Sequence, residues 1–177
     1  VCMTAVAANA TTSPLPDKPS IAVLPFDNMS GDPEQEYFSD GISEDIITEL
    51  SRFSWIKVIA RNSSYSFKGQ AVDLQTVAKE LGVRYILEGS VRKAGNRVRI
   101  TAQLIDASDG SHLWAERYDR GLDDIFEIQD EITRAIVSAI APHMQHVEMS
   151  RARSRRPGNF ECWDLVMRAM AAYASFS

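Results

Sequence analysis

Between Lys18 and Pro33 the chain fits a strand, a turn and a helix start into one short run, and no other stretch constrains the fold as tightly. Ile21, Ala22, Val23 and Leu24 form a continuous apolar segment, the pattern of a strand covered on both faces. Pro25 has no N–H to give a ladder and is expected to end the strand. Asn28 to Pro33 is dense in turn formers. Asp32, Pro33 and Gln35 then read as a helix start, with Asp as cap, Pro in the first helical position and Gln able to reach back. A buried strand feeding directly into a helix points to a layered α/β domain.

The rest of the chain extends this pattern. Phe38, Ile42, Ile46, Leu50 and Phe53 recur every three to four residues and predict a helix to about residue 53, with Asp40, Ser43, Glu44 and Glu49 largely on its wet side. Trp55 to Ala60 reads as a second strand, followed by a short connection that turns near Lys68 and Gly69. Asp73 caps a further helix with Leu74, Val77, Ala78 and Leu81 on one stripe, and Gly82 stands at its left-handed end. From Tyr85 the period changes to two. Leu87, Gly89 and Val91 alternate with Glu88, Ser90 and Arg92, and after a Gly95-Asn96 turn Val98, Ile100, Ala102 and Leu104 alternate with Arg97, Arg99, Thr101 and Gln103. Asp109-Gly110 turns the chain again into a strand carrying Trp114 and Tyr118, two residues of one face expected to pack under the next helix.

That helix starts near Leu122, with Ile125, Ile128, Ile132, Ile136 and Ile140 on its inner side, and Pro142 is expected to kink or end it. Arg151 to Gly158 reads as a basic connector, and residues 159–177 as one more helix, apolar enough to need a partner. The fold class is therefore α/β with a mixed sheet: two βα units, a three-stranded antiparallel meander, a long helix and a lone repeat-like helix. Residues 1–19, rich in Ala, Thr, Ser and Pro, read as a flexible linker or arm. Ala5 to Ala10 has the small residues of a secretory cleavage region but neither a basic segment before it nor a long enough apolar part. The domain itself is expected over residues 20–150.

Several motifs resemble the TolB amino-terminal-like domain of multidomain bacterial signalling proteins: Ile21-Ala22-Val23-Leu24-Pro25-Phe26, the run from Gly31 to Gly41, Leu87-Glu88-Gly89-Ser90-Val91-Arg92, the run from Arg97 to Asp106, and Leu113-Trp114-Ala115-Glu116. The resemblance covers about residues 19 to 140 in order. It implies a module set between an adenylate/guanylate cyclase domain, or a winged-helix activator domain, and tetratricopeptide repeats. Trp163 to Tyr173 is similar to the first helix of such a repeat. The cyclase-associated version implies a cytoplasmic setting, and the TolB and transmembrane-activator versions a periplasmic one.

Composition excludes some function classes. The chain has 177 residues, 45% of them hydrophobic, and a formal net charge of −5, which speaks against a nucleic-acid partner. No run approaches the roughly 18 to 20 apolar residues of a membrane-spanning helix. Cys2 and Cys162, at opposite ends, read as free thiols rather than a disulfide framework. The acidic group Asp27, Asp32, Glu34, Glu36, Asp40, Glu44 and Asp45 reads as a cap and a solvated face. His143 and His146 lack a third ligand, and Ser63, Ser64 and Ser66 lack a nucleophile-elbow context. No phosphate-cradling glycine motif is present. No catalytic, cofactor-binding or metal residue is therefore assigned, and the chain reads as a non-enzymatic accessory domain.

Two functions stay open. In the first the domain acts by protein contact, through the sheet edge, the meander with Arg92, Arg97 and Arg99, or the last helix with Trp163 and Tyr173, through which it also self-associates. In the second it senses a small ligand or nucleotide in a pocket at the strand carboxy ends, near Asn28, Ser30, Arg61 and Asn62.

Overall fold

The computed structural model describes residues 18–154 and 162–174; the expected arm before Lys18 and the second half of the expected connector, 155–158, lie outside them. Six strands form one mixed sheet: β1 (Ser20–Val23), β2 (Asp27–Asn28), β3 (Lys57–Val58), β4 (Tyr85–Ala94), β5 (Arg97–Asp106) and β6 (Ser111–Gly121). Their order is β3-β1-β4-β5-β6, with β2 also paired to β4. Pairing is parallel from β3 through β4 and antiparallel from β4 to β6. The helices are α1 (Glu36–Leu50), α2 (Arg61–Tyr65), α3 (Leu74–Leu81), α4 (Ile125–Ser154) and α5 (Cys162–Ala174).

Local chemistry sets the element ends. The Asp32 carboxylate accepts from Glu34 N at 3.0 Å and from Gln35 Nε2 at 3.3 Å, opening a 3-10 turn that leads into α1. Asp73 caps α3 by accepting from Thr76 N at 3.1 Å. Gly82, at φ 63°, closes α3: Gly82 N donates to Lys79 O and Val83 N to Ala78 O, the paired bonds of a left-handed helix stop.

β3 lies on one side of β1 and β4 on the other, so crossovers of the same hand put α1 and α3 on opposite faces of the sheet. α1 and α4 close one face over a core that includes Phe38, Ile42, Ile46, Ile132, Ile136, Tyr85, Leu87, Ile100 and Leu104, all fully buried. Trp114 and Tyr118 pack into this core, as their spacing predicts. The eight-residue α3 covers only a small second cluster around Val77, Ala78 and Ile86. The remainder of that face, over β4 to β6, stays open.

Five features depart from expectation. Pro25 interrupts the first strand without ending its pairing: Leu24 N donates to Leu87 O, and the ladder resumes where Asp27 faces Ser90. From Val23 to Asp27 the chain advances four residues against three on β4, so the proline sits in a bulge where no N–H is needed. Ser43, expected on the wet side of α1, is buried, and its Oγ accepts from Phe26 N at 2.9 Å. The expected second strand shrinks to the two residues of β3, and the connection after it contains α2.

The other two departures concern α4. It does not end at Pro142 but continues to Ser154, because Pro142 and Ser138, whose carbonyl loses its helical donor, both face solvent. Arg151 and Arg153, expected in a basic connector, therefore belong to the last turn of α4.

The bulge drives Phe26 into the core against Gly89, where a Cβ would overlap the Thr101 carbonyl oxygen and lie 2.5 Å from the Phe26 ring. Gly89→Ala is expected to destabilise the fold by about 1 to 3 kcal/mol, an overpacking penalty. A urea midpoint equal to that of the parent chain would show that the ring and strand shift aside freely.

Candidate functional site

Three surfaces bring polar groups together. The first is the open face of the meander. The register sets Arg92 opposite Arg99, Ala94 opposite Arg97 and Arg99 opposite Asp119, so Arg92, Arg97 and Arg99 share one face and line a hollow of about 250 Å³. Asp119 is the acid that opposes them, with Arg99 Nε 2.6 Å from its Oδ1. Glu88, on the same face, accepts from Gln103, and Glu116 accepts from the Tyr118 hydroxyl at 2.6 Å on the covered side.

The second is a cleft of about 370 Å³ where β1 breaks into β2. Leu24, Pro25 and Met29 form one wall, and Phe67, Val72 and Leu74 another. Glu88, Ser90, Thr101 and Gln103 form a polar floor. Lys68 also borders the cleft, but its ammonium is taken by Asp40 at 2.6 Å and Glu36 at 2.7 Å.

The four residues expected to form a pocket do not line this cleft. Asn28 and Ser30 are spent on the turn after β2: Asn28 Nδ2 donates to Asp32 O, Ser30 N donates to Asn28 Oδ1, and Ser30 Oγ accepts from Lys93 N. Arg61 lies over the Tyr65 ring at 4.3 Å and 3.6 Å from Glu44, which staples α2 to α1, and Asn62 is exposed. Among the described residues no group of three or more His, Cys, Asp or Glu converges as metal ligands would, and no helix is long and apolar enough to cross a membrane.

The third surface is built on a network that periodicity alone could have flagged. The inward stripe Ile128, Ile132, Ile136, Ile140 and Met144 continues at the same spacing to Glu148 and Ala152, which puts a carboxylate at a core position. Glu148 is only 5% exposed. It receives Arg84 Nη1 at 2.6 Å, the Tyr85 hydroxyl, and Arg151 Nη1 at 3.4 Å, while Arg151 also pairs with buried Asp106. Burial first, and then the hydrogen bond to Glu148, push the Tyr85 phenol far above its ordinary value. Burial, followed by Glu116, does the same to Tyr118. The network fixes the far end of α4 to β4 and β5, and α5 packs on α4 through buried Met167 and Ala171. Tyr173 is 79% exposed on the outer side of α5, and the Trp163 side chain lies outside the described residues.

These features define a mixed α/β domain with one closed and one open sheet face and a long helix that delivers a second, partly apolar helix. The chain belongs to the family of the HilA/YgeH-like transcriptional regulator second domain, whose family model matches residues 17–135. A curated relative from Rhizobium meliloti (strain 1021), named "Putative adenylate cyclase 3", is 60% identical over 163 residues. That alignment takes in 92% of this chain but 28% of the relative, so the chain spans little more than a quarter of that protein. Among solved structures, a lipoprotein of Neisseria meningitidis shares the fold at a TM-score of 0.51 and 21% identity, over 69% of this chain and 96% of its own. TolB from Acinetobacter baumannii aligns at a TM-score of 0.49 and 19% identity, over 70% of this chain and 28% of its own.

Removing the Glu148 carboxylate leaves the half-buried Arg84 and Arg151 facing one another beside the fully buried Tyr85, so Glu148→Ala is expected to lower stability by about 3 kcal/mol, read as a loss in the denaturant midpoint. The apolar pair Arg84→Met with Glu148→Leu is expected to recover most of that loss; a double variant as weak as the single one would contradict the desolvation argument. Tyr85 and Tyr118 ionise later in the folded chain than in the unfolded one, where the value is 10.0. The folded form therefore holds more protons above that pH, and stability that is complete below about pH 10 falls as pH rises further. Tyr85→Phe is expected to flatten this alkaline loss in urea titrations between about pH 9 and 11.

Proposed function

We propose that this domain is a non-catalytic coupling element of a multidomain signalling protein, and that it works by holding α5 in a set position for a partner helix. The observation that carries this reading is the anchoring of α4. A 30-residue helix reaches about 45 Å, and this one is fixed to the sheet along its inner stripe and again at Glu148, close to its end. The placement of α5 thus follows the state of the sheet. The side of α5 turned away from α4 presents Leu165, Val166, Met170 and Tyr173, all exposed. Single helices of this composition gain stability by stacking against a neighbour, as helices of tetratricopeptide-type repeats do.

The family description, a regulator's second domain, and the name of the Rhizobium meliloti relative support a role in signalling. In this reading any cyclase chemistry belongs to parts of such a protein outside the shared segment. The compartment that goes with it is the cytoplasm, with the periplasm as the alternative. The bare arginine face around Arg92 and Arg97 is a second contact surface for an acidic partner.

With no partner helix present, a second copy of α5 is the available cover, and the chain is expected to self-associate with rising concentration. Sedimentation velocity on the parent chain and on Val166→Glu with Met170→Glu tests this, since both positions are exposed and the fold itself should be unaffected. A parent chain that sediments as a monomer throughout the micromolar range, or a double variant that associates equally well, would remove α5 as the contact surface.

A further inference from the structure

We propose that the broad hollow at the opposite end of the sheet from the cleft, enclosed by the segment entering β1, by β3 and by α3, binds an organic anion that joins two or more negative charges to an apolar or aromatic body. The hollow measures about 980 Å³, the upper end of the range for small-molecule sites. It goes beyond the coupling role argued above and shares no residue with α5.

Charge is the first argument. The chain carries a formal net charge of −5, yet among the described residues no carboxylate lines this hollow, while Lys18, Lys57 and Lys79 do, each from a different segment. Lys57 and Lys79 enter no ion pair among the described residues. Lys18 Nζ donates to the Ser54 carbonyl at 2.8 Å, which orients the ammonium without cancelling its charge. Arg84 also borders the hollow, but Glu148 neutralises it from behind at 2.6 Å. Asp106, next to the lining residue Ala107, is taken by Arg151. Three uncompensated cations facing one recess hold a multiply charged anion far better than scattered surface lysines do.

Shape and hydrogen bonding supply the second argument. Part of the lining is apolar: Ile56 and Ala78 are buried there and Ala107 is half-buried, beside the polar Gln75 and Ser108. A ligand that was charge alone would gain nothing from this apolar part, whereas a flat apolar body would cover it. Ser20 Oγ accepts from Arg84 N at 3.2 Å, which leaves its O–H to donate into the hollow. The carboxy end of α3 also borders the hollow, but the Gly82 and Val83 amides have already closed its last carbonyls, so the helix end does not repel an anion strongly.

A nucleoside triphosphate has the required chemistry, and its parts separate the two arguments. Isothermal titration of the full chain with ATP, with tripolyphosphate and with adenosine is expected to give binding by ATP, weaker binding by tripolyphosphate, and none by adenosine alone. Lys57→Glu with Lys79→Glu is expected to weaken ATP binding by about tenfold or more, as loss of two charged contacts implies, with an unchanged melting temperature because both side chains are exposed. Arg134→Glu, on the exposed side of α4 and away from the hollow, is expected to leave the affinity as it was. The proposal is overturned if no binding is found, if the lysine double variant binds as the parent does, or if tripolyphosphate binds as tightly as ATP.

Discussion

β4 is hydrogen-bonded along both of its edges, and the rest of the molecule takes its geometry from that. On one side it pairs in parallel with β1 and then, beyond the Pro25 bulge, with β2; on the other it pairs antiparallel with β5 over all ten of its residues. A slip of one residue would exchange the buried set Tyr85, Leu87 and Val91 with the polar set Glu88, Ser90 and Arg92, so the apolar core locks the register. The locked register sets Gly89 under the Phe26 ring and lines up the arginines of the open face. It also places Arg84 and Tyr85 where the end of α4 can reach them.

The second determinant is the long-range polar network around Glu148. Taking a carboxylate out of water is expensive, and its pairing with Arg84, Arg151 and Tyr85 offsets that expense without turning it into a large gain. Its main consequence is specificity. An all-apolar stripe does not distinguish positions one turn apart along the sheet, whereas Glu148 meets Arg84, Tyr85 and Arg151 together in this one. The same pairing removes Arg84 and Asp106 from the charge balance of the basic hollow, which leaves its three lysines to act together.

The elements most legible in the chain are those determined by neighbours in sequence. Asp32 and Asp73 cap as their spacing predicts, Gly82 ends α3, and the alternation from Leu87 to Leu104 describes the hairpin. The shared face of Arg92, Arg97 and Arg99 was legible for the same reason, since a period of two and a tight turn settle which side chains face together. The pocket expected at Asn28, Ser30, Arg61 and Asn62 was not. Short polar side chains in a turn bond to their own backbone first, and Arg61 finds Tyr65 and Glu44 within reach, so the strand ends open instead toward the loop from Phe67 to Leu74.

The mixed α/β class, the capped helices, the antiparallel meander and the apolar stripe of α4 can be read from the chain alone, because each follows from propensity and periodicity over a few residues. Folding in three dimensions was needed to show that the Pro25 bulge carries pairing onward, that Ser43 is buried beneath it, that α4 passes through Pro142, and that Lys18, Lys57 and Lys79 line one hollow. These depend on groups far apart in the chain meeting in space. A buried serine hydroxyl oxygen finds its donor only once Phe26 N arrives, a proline is tolerated where the carbonyl it orphans faces water, and lysines from separate segments act together only once folding has gathered them around one recess.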